Sequence, residues 1–473
     1  MVRFLPQVRR PAALAAAALL TGCASLPAPP TAATPAPLLQ ASQTLSAPVA
    51  DWPGETWWTA YGDVQLNALI DEALAGSPSL AAADARLRKA EALAGQARSA
   101  LGPVLSANAQ AQAVKQSYNN GFPAAFVPHG YKDSARVSLD VGYQLDFFGR
   151  NRAALAASLG EAQAARADAA AARLTLSTAV ADAYAQLAQL YADRDAALDA
   201  QRIREASARL IEQRAESGLE NRGAVARAQA GAASARAEVA AVDEALDLTR
   251  NRLAALTGAG PDRGLAVARP AIRSLKAFGL PKDLRADLLG RRPDVTAARL
   301  RAQAAAQRVK VAKAEFYPNI QLTGYLGRQS LGLDLLTKSG SGIGAIGPAL
   351  SLPIFDAGRL QAGYRGAGAD YDAAVASYQQ TLVQALQDVA DVAVSARSLE
   401  TRLSESRQAL RGAQEAYDVA LARYKGGLAA YLDVLSAEDA LIANRRAVAD
   451  LETRAFALDV ALTRALGGGF TAA

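Results

Sequence analysis

The stretch from Leu350 to Arg359, LSLPIFDAGR, changes its periodicity part-way along. Apolar residues recur first at even spacing, which is typical of one face of a β-strand: Ile346, Leu350, Leu352 and Ile354. After Gly358 they recur every three or four positions, which is typical of an amphipathic helix. No proline follows Pro353. The stretch therefore predicts a strand that leads into a helix of about 65 residues, about 100 Å long at about 1.5 Å per residue.

The clearest strand runs from Arg136 to Phe147. Apolar and polar residues alternate along all 12 positions, with Val137, Leu139, Val141, Tyr143, Leu145 and Phe147 on the apolar face. An ordinary strand has about five or six residues, whereas a tilted transmembrane strand has about 9–11. A sheet with one wet face is the alternative. The length favours a membrane strand with one face toward lipid and the other toward a lumen.

The chain contains an internal repeat. Pro78 and Pro293 are 215 residues apart, and Gly218 and Gly427 are 209 apart. Each copy predicts a helix, two strands, a long helix, a glycine turn and a returning helix. The predicted helices are 64–101, 150–216, 222–257, 282–316, 359–425 and 431–466, and the predicted strands are 103–117, 134–147, 318–329 and 343–355.

The N-terminus predicts export and lipidation. Basic residues precede a short apolar run, which is typical of a signal peptide. Leu20-Thr21-Gly22-Cys23 resembles the bacterial lipobox, in which the cysteine is acylated, and Cys23 is the only cysteine in the chain. A signal peptide with a chance cysteine is the alternative. The segment up to about Ala50 is rich in proline and alanine, and such a composition indicates an extended tether.

These patterns divide the chain into six parts. We expect a lipoprotein signal peptide (1–22), a lipid-anchored tether (23–50), a first repeat (51–260), a linker (261–281), a second repeat (282–467) and a short tail (468–473).

Composition excludes several classes of function. The chain has 473 residues, a net charge of +6 and a single histidine, His129. The leader holds three arginines, so a mature chain would carry only +3, too little to indicate nucleic-acid binding. With one histidine and one cysteine, histidine-based metal clusters, a cysteine zinc site and most catalytic triads are excluded. Gly342, Gly344 and Gly347 have the spacing of a dinucleotide loop, but a strand follows them instead of a helix. We expect no enzyme activity, no metal and no cofactor.

Four strands cannot close a barrel, and an open strand edge facing lipid leaves backbone groups without hydrogen-bond partners. A barrel of about eight strands is filled by side chains and leaves no channel. A membrane channel built from this chain therefore requires three copies or more.

Several motifs together resemble the TolC-like outer membrane factors of tripartite export pumps, and most closely the lipid-anchored NodT- and OprM-type efflux lipoproteins. The motifs are Trp57-Trp58 with Asp63, Arg292-Pro293-Asp294-Val295, Phe316-Tyr317-Pro318, the stretch from Leu352 to Arg359, Arg423-Tyr424 with Gly427, and Leu432-Asp433-Val434-Leu435.

The resemblance implies an α+β membrane protein: a homotrimer with one twelve-stranded outer-membrane β-barrel, four strands per chain, continued by an α-helical coiled-coil barrel in the periplasm. The implied function is the exit duct that passively conducts small molecules such as drugs, the basis of multidrug resistance. The implied partners are a periplasmic adaptor (membrane fusion) protein, an inner-membrane efflux transporter and outer-membrane lipid.

The resemblance also implies particular site residues. Strand–helix junctions are expected at Phe148-Gly149-Arg150 and at Phe355, Gly358 and Arg359. A periplasmic aperture is expected at Asp433, with Tyr424 as part of a latch and Gly427 at the turn. Two positions differ from the family here, since Ala429 replaces a latch arginine and Ser436 replaces a second aspartate. The alternative role of Asp433 is to complement the positive end of its own helix.

Two other classes of protein remain to be weighed. A lipid-anchored periplasmic adaptor would contain one helical hairpin inserted into small β-domains, whereas this chain predicts two hairpins that each follow long strands. A lipid-anchored envelope enzyme is disfavoured because no catalytic cluster is present.

Overall fold

A computed structural model describes residues 43–119, 121, 123–272, 278–282, 284 and 290–471. The signal peptide, the lipobox and most of the tether lie outside the described residues. Within these ranges, no helix combines the length and the apolarity needed to cross a bilayer. The chain divides into two compact units, and each is considered separately.

The described helices and strands follow the predicted order. The helices are α1 (Val64–Gly76), α2 (Pro78–Ser99), α3 (Arg150–Glu216), α4 (Arg222–Leu256), α5 (Asp262–Leu265), α6 (Pro293–Ala314), α7 (Arg359–Lys425) and α8 (Tyr431–Ala465). The strands are β1 (Val104–Lys115), β2 (Tyr131–Leu145), β3 (Asn319–Leu331) and β4 (Gly342–Ser351). Short 3-10 helices occupy Trp57–Tyr61, Ala124–Phe126 and Leu333–Leu335.

The duplication extends to the lengths of the helices. Helices α3 and α7 both have 67 residues, and α4 and α8 both have 35. Helices α2 and α6 both have 22. The chain therefore contains two structural repeats, as the sequence predicts.

The unit that holds Leu87–Ala165 and Ala298–Tyr378 is built on a single four-stranded antiparallel sheet. Its strands lie in the order β1-β2-β3-β4, so strands from the two repeats pair side by side. Leu139 lies opposite Ala107 on one side and Leu326 on the other. Residues that pair in this way share a face, so the apolar residues of the four strands lie on one face, with Arg328 opposite Val137 near one end of it.

The structure corrects the sequence prediction at four places. The helix predicted over 282–316 is interrupted at Arg292, the residue before Pro293, and α6 begins at Pro293. Strand β2 ends at Leu145, so Phe147 lies beyond it.

Strand β4 ends at Ser351, so Leu352 and Ile354 lie beyond it. Ser351 pairs with Asn319, and the next residue outward on β3 is Pro318, which has no N–H to extend the ladder. The helix predicted over 64–101 is two helices, because Ser77 is extended where the ring of Pro78 follows it.

The unit that holds Ala36–Arg86, Arg166–Ala297 and Gln379–Ala473 is helical. From the sequence, Trp52, Trp57 and Trp58 either anchor the protein at a membrane interface or pack inward, and packing is favoured. Trp57 and Trp58 are buried, together with Tyr61, against apolar residues of α1, α3 and α8, and Trp52 is partly buried. The Tyr61 hydroxyl donates a 2.7 Å hydrogen bond to Asp459 Oδ2. The packing alternative is confirmed.

Candidate functional site

The polar face of the sheet carries a hydrogen-bonded cluster around Asp140 of β2. Asn108 Nδ2 and Ser138 Oγ donate to Asp140 Oδ2 over 2.8 and 2.7 Å. The Arg136 guanidinium lies 4.0 Å from the same carboxylate and stacks 4.8 Å above the centre of the Tyr325 ring. This face can therefore line a water-filled passage, while the opposite face presents Leu139, Leu326 and their apolar neighbours.

The first strand–helix junction begins α3 with an acidic cap. Asp146 accepts backbone hydrogen bonds from Asn151 and Arg152 over 3.2 and 2.9 Å. Gly149 has a φ of 76°, a left-handed conformation that a side chain disfavours. Asp146 therefore neutralises the positive end of a helix that starts directly after a strand.

Aromatic and ionic contacts join this junction to the loop that precedes β3. The Phe148 ring stacks on Tyr317 with the ring centres 4.8 Å apart. Arg150 Nη2 lies 3.3 Å from Glu315 Oε1. The predicted junction residues Phe148, Gly149 and Arg150 are thus brought together.

The second junction uses the same chemistry over a longer loop, residues 352–358 against residues 146–149. Asp356 accepts the N–H groups of Gly358 and Leu360 over 3.1 and 2.9 Å. Gly358 has a φ of 86°, and α7 begins at Arg359. Phe355 is 88% exposed and lies between the strand and the helix, so its apolar ring has no packing partner in a single chain.

The hairpins α3–α4 and α7–α8 each reverse at a glycine. Gly218 and Gly427 share a φ of 73°. The N–H of the following residue, Leu219 or Leu428, donates over 2.8 Å to the carbonyl of Arg214 or Arg423. This five-residue return hydrogen bond is the signature of a Schellman C-cap. Gly427 therefore has the turn role that the sequence predicts.

The returning helices α4 and α8 are capped in complementary ways. In the first hairpin, Asn221 Oδ1 accepts the N–H of Ala224 over 3.0 Å. In the second, Asp433 Oδ2 accepts the N–H of Ala430 over 3.1 Å, and Ala430 has no side-chain acceptor. Each repeat thus has one half of a capping box. Asp433 is exposed, so its cap leaves the carboxylate in contact with solvent.

Tyr424 lies buried at the base of the turn, not at an open surface. Its hydroxyl donates a 2.6 Å hydrogen bond to Glu220 Oε1, and the Arg214 guanidinium lies 4.6 Å from the ring centre. Burial and the Glu220 carboxylate raise the pKa of Tyr424, so the phenol stays protonated and continues to donate. This contact joins α7 of the second hairpin to the turn of the first.

Arg292 explains the Arg-Pro-Asp-Val motif. Its guanidinium makes two hydrogen bonds to Asp294, of 3.0 and 2.6 Å. It also donates to Asp388 Oδ2 over 2.9 Å and to the carbonyl of Ala465 over 3.2 Å. One side chain thereby fixes the start of α6, the middle of α7 and the end of α8.

The sequence did not single out several of these residues, among them Asp146, Glu220 and Asp356. The signal for both aspartates was an acidic residue just before a Gly-Arg pair that starts a helix. Glu220 carried no comparable signal, because its partner Tyr424 is 204 residues away. Cys23 and the lipobox residues Leu20, Thr21 and Gly22 lie outside the described residues.

Sequence comparison identifies the family. The family model described as "Outer membrane efflux protein" matches residues 69–259 and 284–468. The chain is 31% identical to the multidrug resistance outer membrane protein MdtP of Escherichia coli K12, over 89% of this chain and 88% of MdtP. It is 37% identical to the fusaric acid resistance protein FusA of Burkholderia cepacia, over 74% of this chain and 67% of FusA.

Solved structures share the fold. The outer membrane protein VceC of Vibrio cholerae is 46% identical, superposes with a TM-score of 0.84 and is matched over its whole length by 89% of this chain. The outer-membrane channel OprN is 30% identical with a TM-score of 0.84, over 93% of this chain and 99% of OprN. This family is one of transport channels and not of enzymes. The chain belongs to the outer membrane efflux protein family and is an outer-membrane exit channel of an efflux system.

Proposed function

We propose that three copies of this chain form one twelve-stranded barrel that passively conducts small molecules out of the cell. The observation that carries the proposal is the sheet, with its apolar face, its polar face and its unpaired edges. Within the described residues, β1 pairs with β2 alone and β4 with β3 alone. An open edge is not tolerated in lipid, so β4 of one copy must pair with β1 of the next.

Three copies are the smallest closed arrangement that leaves a passage. Two copies would give eight strands, a barrel whose interior side chains fill it, whereas twelve strands enclose a lumen. The Asp140 cluster would then line that lumen in three copies. Each chain would contribute both of its repeats, which we place at residues 51–260 and 282–467.

The partners and cargo follow from the family and from the names of relatives. We infer that the channel works with a periplasmic adaptor and an inner-membrane efflux transporter, since a passive duct has no energy source of its own. MdtP is named for multidrug resistance and FusA for resistance to fusaric acid. Small organic compounds are therefore the proposed cargo of this channel as well.

We propose that Cys23 carries the lipid anchor. The lipobox of Leu20, Thr21 and Gly22 precedes it, and a tether of about 25 residues separates it from the folded part, long enough to reach a membrane surface. Mass spectrometry of the purified N-terminal peptide is expected to show cleavage before Cys23 and acyl additions on it. An unmodified Cys23, or a retained leader, would contradict the anchor.

Planar-bilayer recording tests conduction itself. The detergent-purified protein is expected to insert as discrete steps of constant conductance, and the same sample unfolded by heat serves as the control. Folded, oligomeric protein that produces no steps would show that the assembly is not a channel. A continuous leak without discrete steps would count against a defined pore.

A further inference from the structure

A buried carboxyl group joins the two hairpins near their turns. Glu438 of α8 is completely buried, and Ser207 Oγ of α3 donates a 2.8 Å hydrogen bond to its Oε2. Arg204 Nε, also on α3, lies 2.9 Å from Glu438 Oε1, with only 14% of the arginine side chain exposed. The same guanidinium contacts Asp439. These contacts connect the first hairpin to the second about 15–20 Å from the turns, at about 1.5 Å per residue.

Charged and titratable groups surround Glu438 on three sides. Arg204 and Ser207 face it from α3, Tyr417 from α7, and Asp439 and Tyr431 from α8 itself. On α4, Gly231 lies against the Arg204 stem, where an added Cβ would be 3.5 Å from Arg204 Cδ. An ionised carboxylate in this enclosure has one cation and one hydroxyl as partners and no access to water.

We propose that Glu438, Ser207 and Arg204 form a pH-sensitive lock that holds the two hairpins together in the closed arrangement of the channel. The Tyr424–Glu220 latch and the Glu438 contacts are both made in this structure, so both stabilise the same arrangement. Separation of α8 from α3 would expose Glu438 to water. The inference rests on the proposed function and on the aperture that the family resemblance places at the hairpin turns.

The sign of the pH effect follows from burial. Burial raises the pKa of Glu438, although Ser207 and Arg204 oppose the shift. In the closed arrangement Glu438 is buried and its pKa is raised, whereas in an open arrangement it would have its ordinary pKa. Protonation therefore stabilises the closed arrangement fully at a pH below the ordinary pKa. That stabilisation is lost as the pH rises through the raised pKa. Acid therefore favours the closed arrangement, by about tenfold in the closed-to-open ratio per unit of pKa difference.

The test compares single-channel conductance between pH 4.5 and 8 for the full-length protein and its Glu438→Gln variant. The amide of this variant is neutral at every pH and keeps a carbonyl for Arg204, so it imitates the protonated lock. We expect its conductance at pH 7.5 to fall by about twofold or more, toward the value of the unmodified protein in acid. Its pH profile is expected to be flatter.

One other carboxyl group titrates in this range and needs a control. Burial and Asp450 raise the pKa of Asp193 to about 6. Asp193 remains in Glu438→Gln, so only the difference between the two profiles reports on Glu438. The matched control is Glu452→Gln on the same helix, a half-exposed carboxylate 2.7 Å from Arg407, which is expected to leave the profile unchanged.

Amide hydrogen exchange over residues 431–444 supplies a readout that does not depend on conduction. At pH 7.5 we expect slower exchange in Glu438→Gln than in the unmodified protein. If no variant conducts but exchange slows, the proposed function fails and the lock stands. If Glu438→Gln has the same pH profile of conductance and the same exchange rates as the unmodified protein, the lock is overturned.

Discussion

Replacement of Asp433 by alanine is expected to raise the single-channel conductance by about twofold or more, to reduce the preference for cations and to weaken block by divalent cations. In a trimer, three Asp433 carboxylates would meet where the second hairpins turn. A ring of like carboxylates attracts cations and narrows the passage available to other solutes. The side chain is exposed, as such a role requires.

The structure also gives Asp433 a second role, since its carboxylate caps α8 through the N–H of Ala430. Loss of a cap costs about 0.5–2 kcal/mol and could loosen the turn without any effect of charge. Two variants separate these causes. Asp433→Asn removes the charge but keeps an acceptor for Ala430, whereas Asn221→Ala removes the cap of the first hairpin without changing any charge.

Recordings in planar bilayers at several calcium concentrations would decide between the two roles. If charge sets the gate, Asp433→Asn behaves like Asp433→Ala, and Asn221→Ala behaves like the unmodified channel. If both cap variants, Asp433→Ala and Asn221→Ala, change conductance while Asp433→Asn does not, Asp433 is a helix cap and the constriction lies elsewhere.

Replacement of Gly327 by alanine is expected to prevent assembly of the barrel. A Cβ at this position of β3 would lie 2.2 Å from the carbonyl oxygen of Val137 and 2.7 Å from Ser138 Cα. Both obstacles are backbone atoms of β2, which is held by neighbours on both sides. The strands would have to separate, at a cost of about 3 kcal/mol or more, and the adjoining pairs would be disturbed.

The yield of folded oligomer in outer membranes measures this effect, with Gly142→Ala as the matched control. Gly142 lies in the same sheet, in the inner strand β2, and an added Cβ there meets nothing within 4 Å. We expect a near-normal yield for Gly142→Ala and little or none for Gly327→Ala. Equal yields would show that the β2–β3 pairing differs from the register in this structure.

Periodicity predicted the strands and long helices well, because both patterns persist over many residues. Ten of the twelve alternating positions from Arg136 to Phe147 lie in β2. These positions and the heptad-like spacing of α7 each repeat the same physical requirement several times. The break at Ser77 and the end of β4 at Ser351 were missed. Each depends on one local group, the ring of Pro78 or the missing N–H of Pro318, and no repeated pattern reports it.

The contacts at the hairpin turns could be predicted only in part. Gly218 and Gly427 are recognisable because a turn that requires a positive φ selects glycine. The partners of Tyr424 and Glu438 are not recognisable, since Glu220 and Ser207 lie 204 and 231 residues away along the chain. A single sequence does not show which faces of two distant helices pack against each other. The repeat supplied the correspondence between the hairpins, but not the contacts between them.

Native mass spectrometry of the detergent-extracted complex, after the detergent is removed in the gas phase, tests the shared barrel most directly. The four-stranded sheet and its open edges predict a mass of three mature chains, and the same count is expected after Cys23→Ser removes the anchor. A monomer or a dimer would contradict the account, because four strands cannot close in a membrane and eight leave no passage.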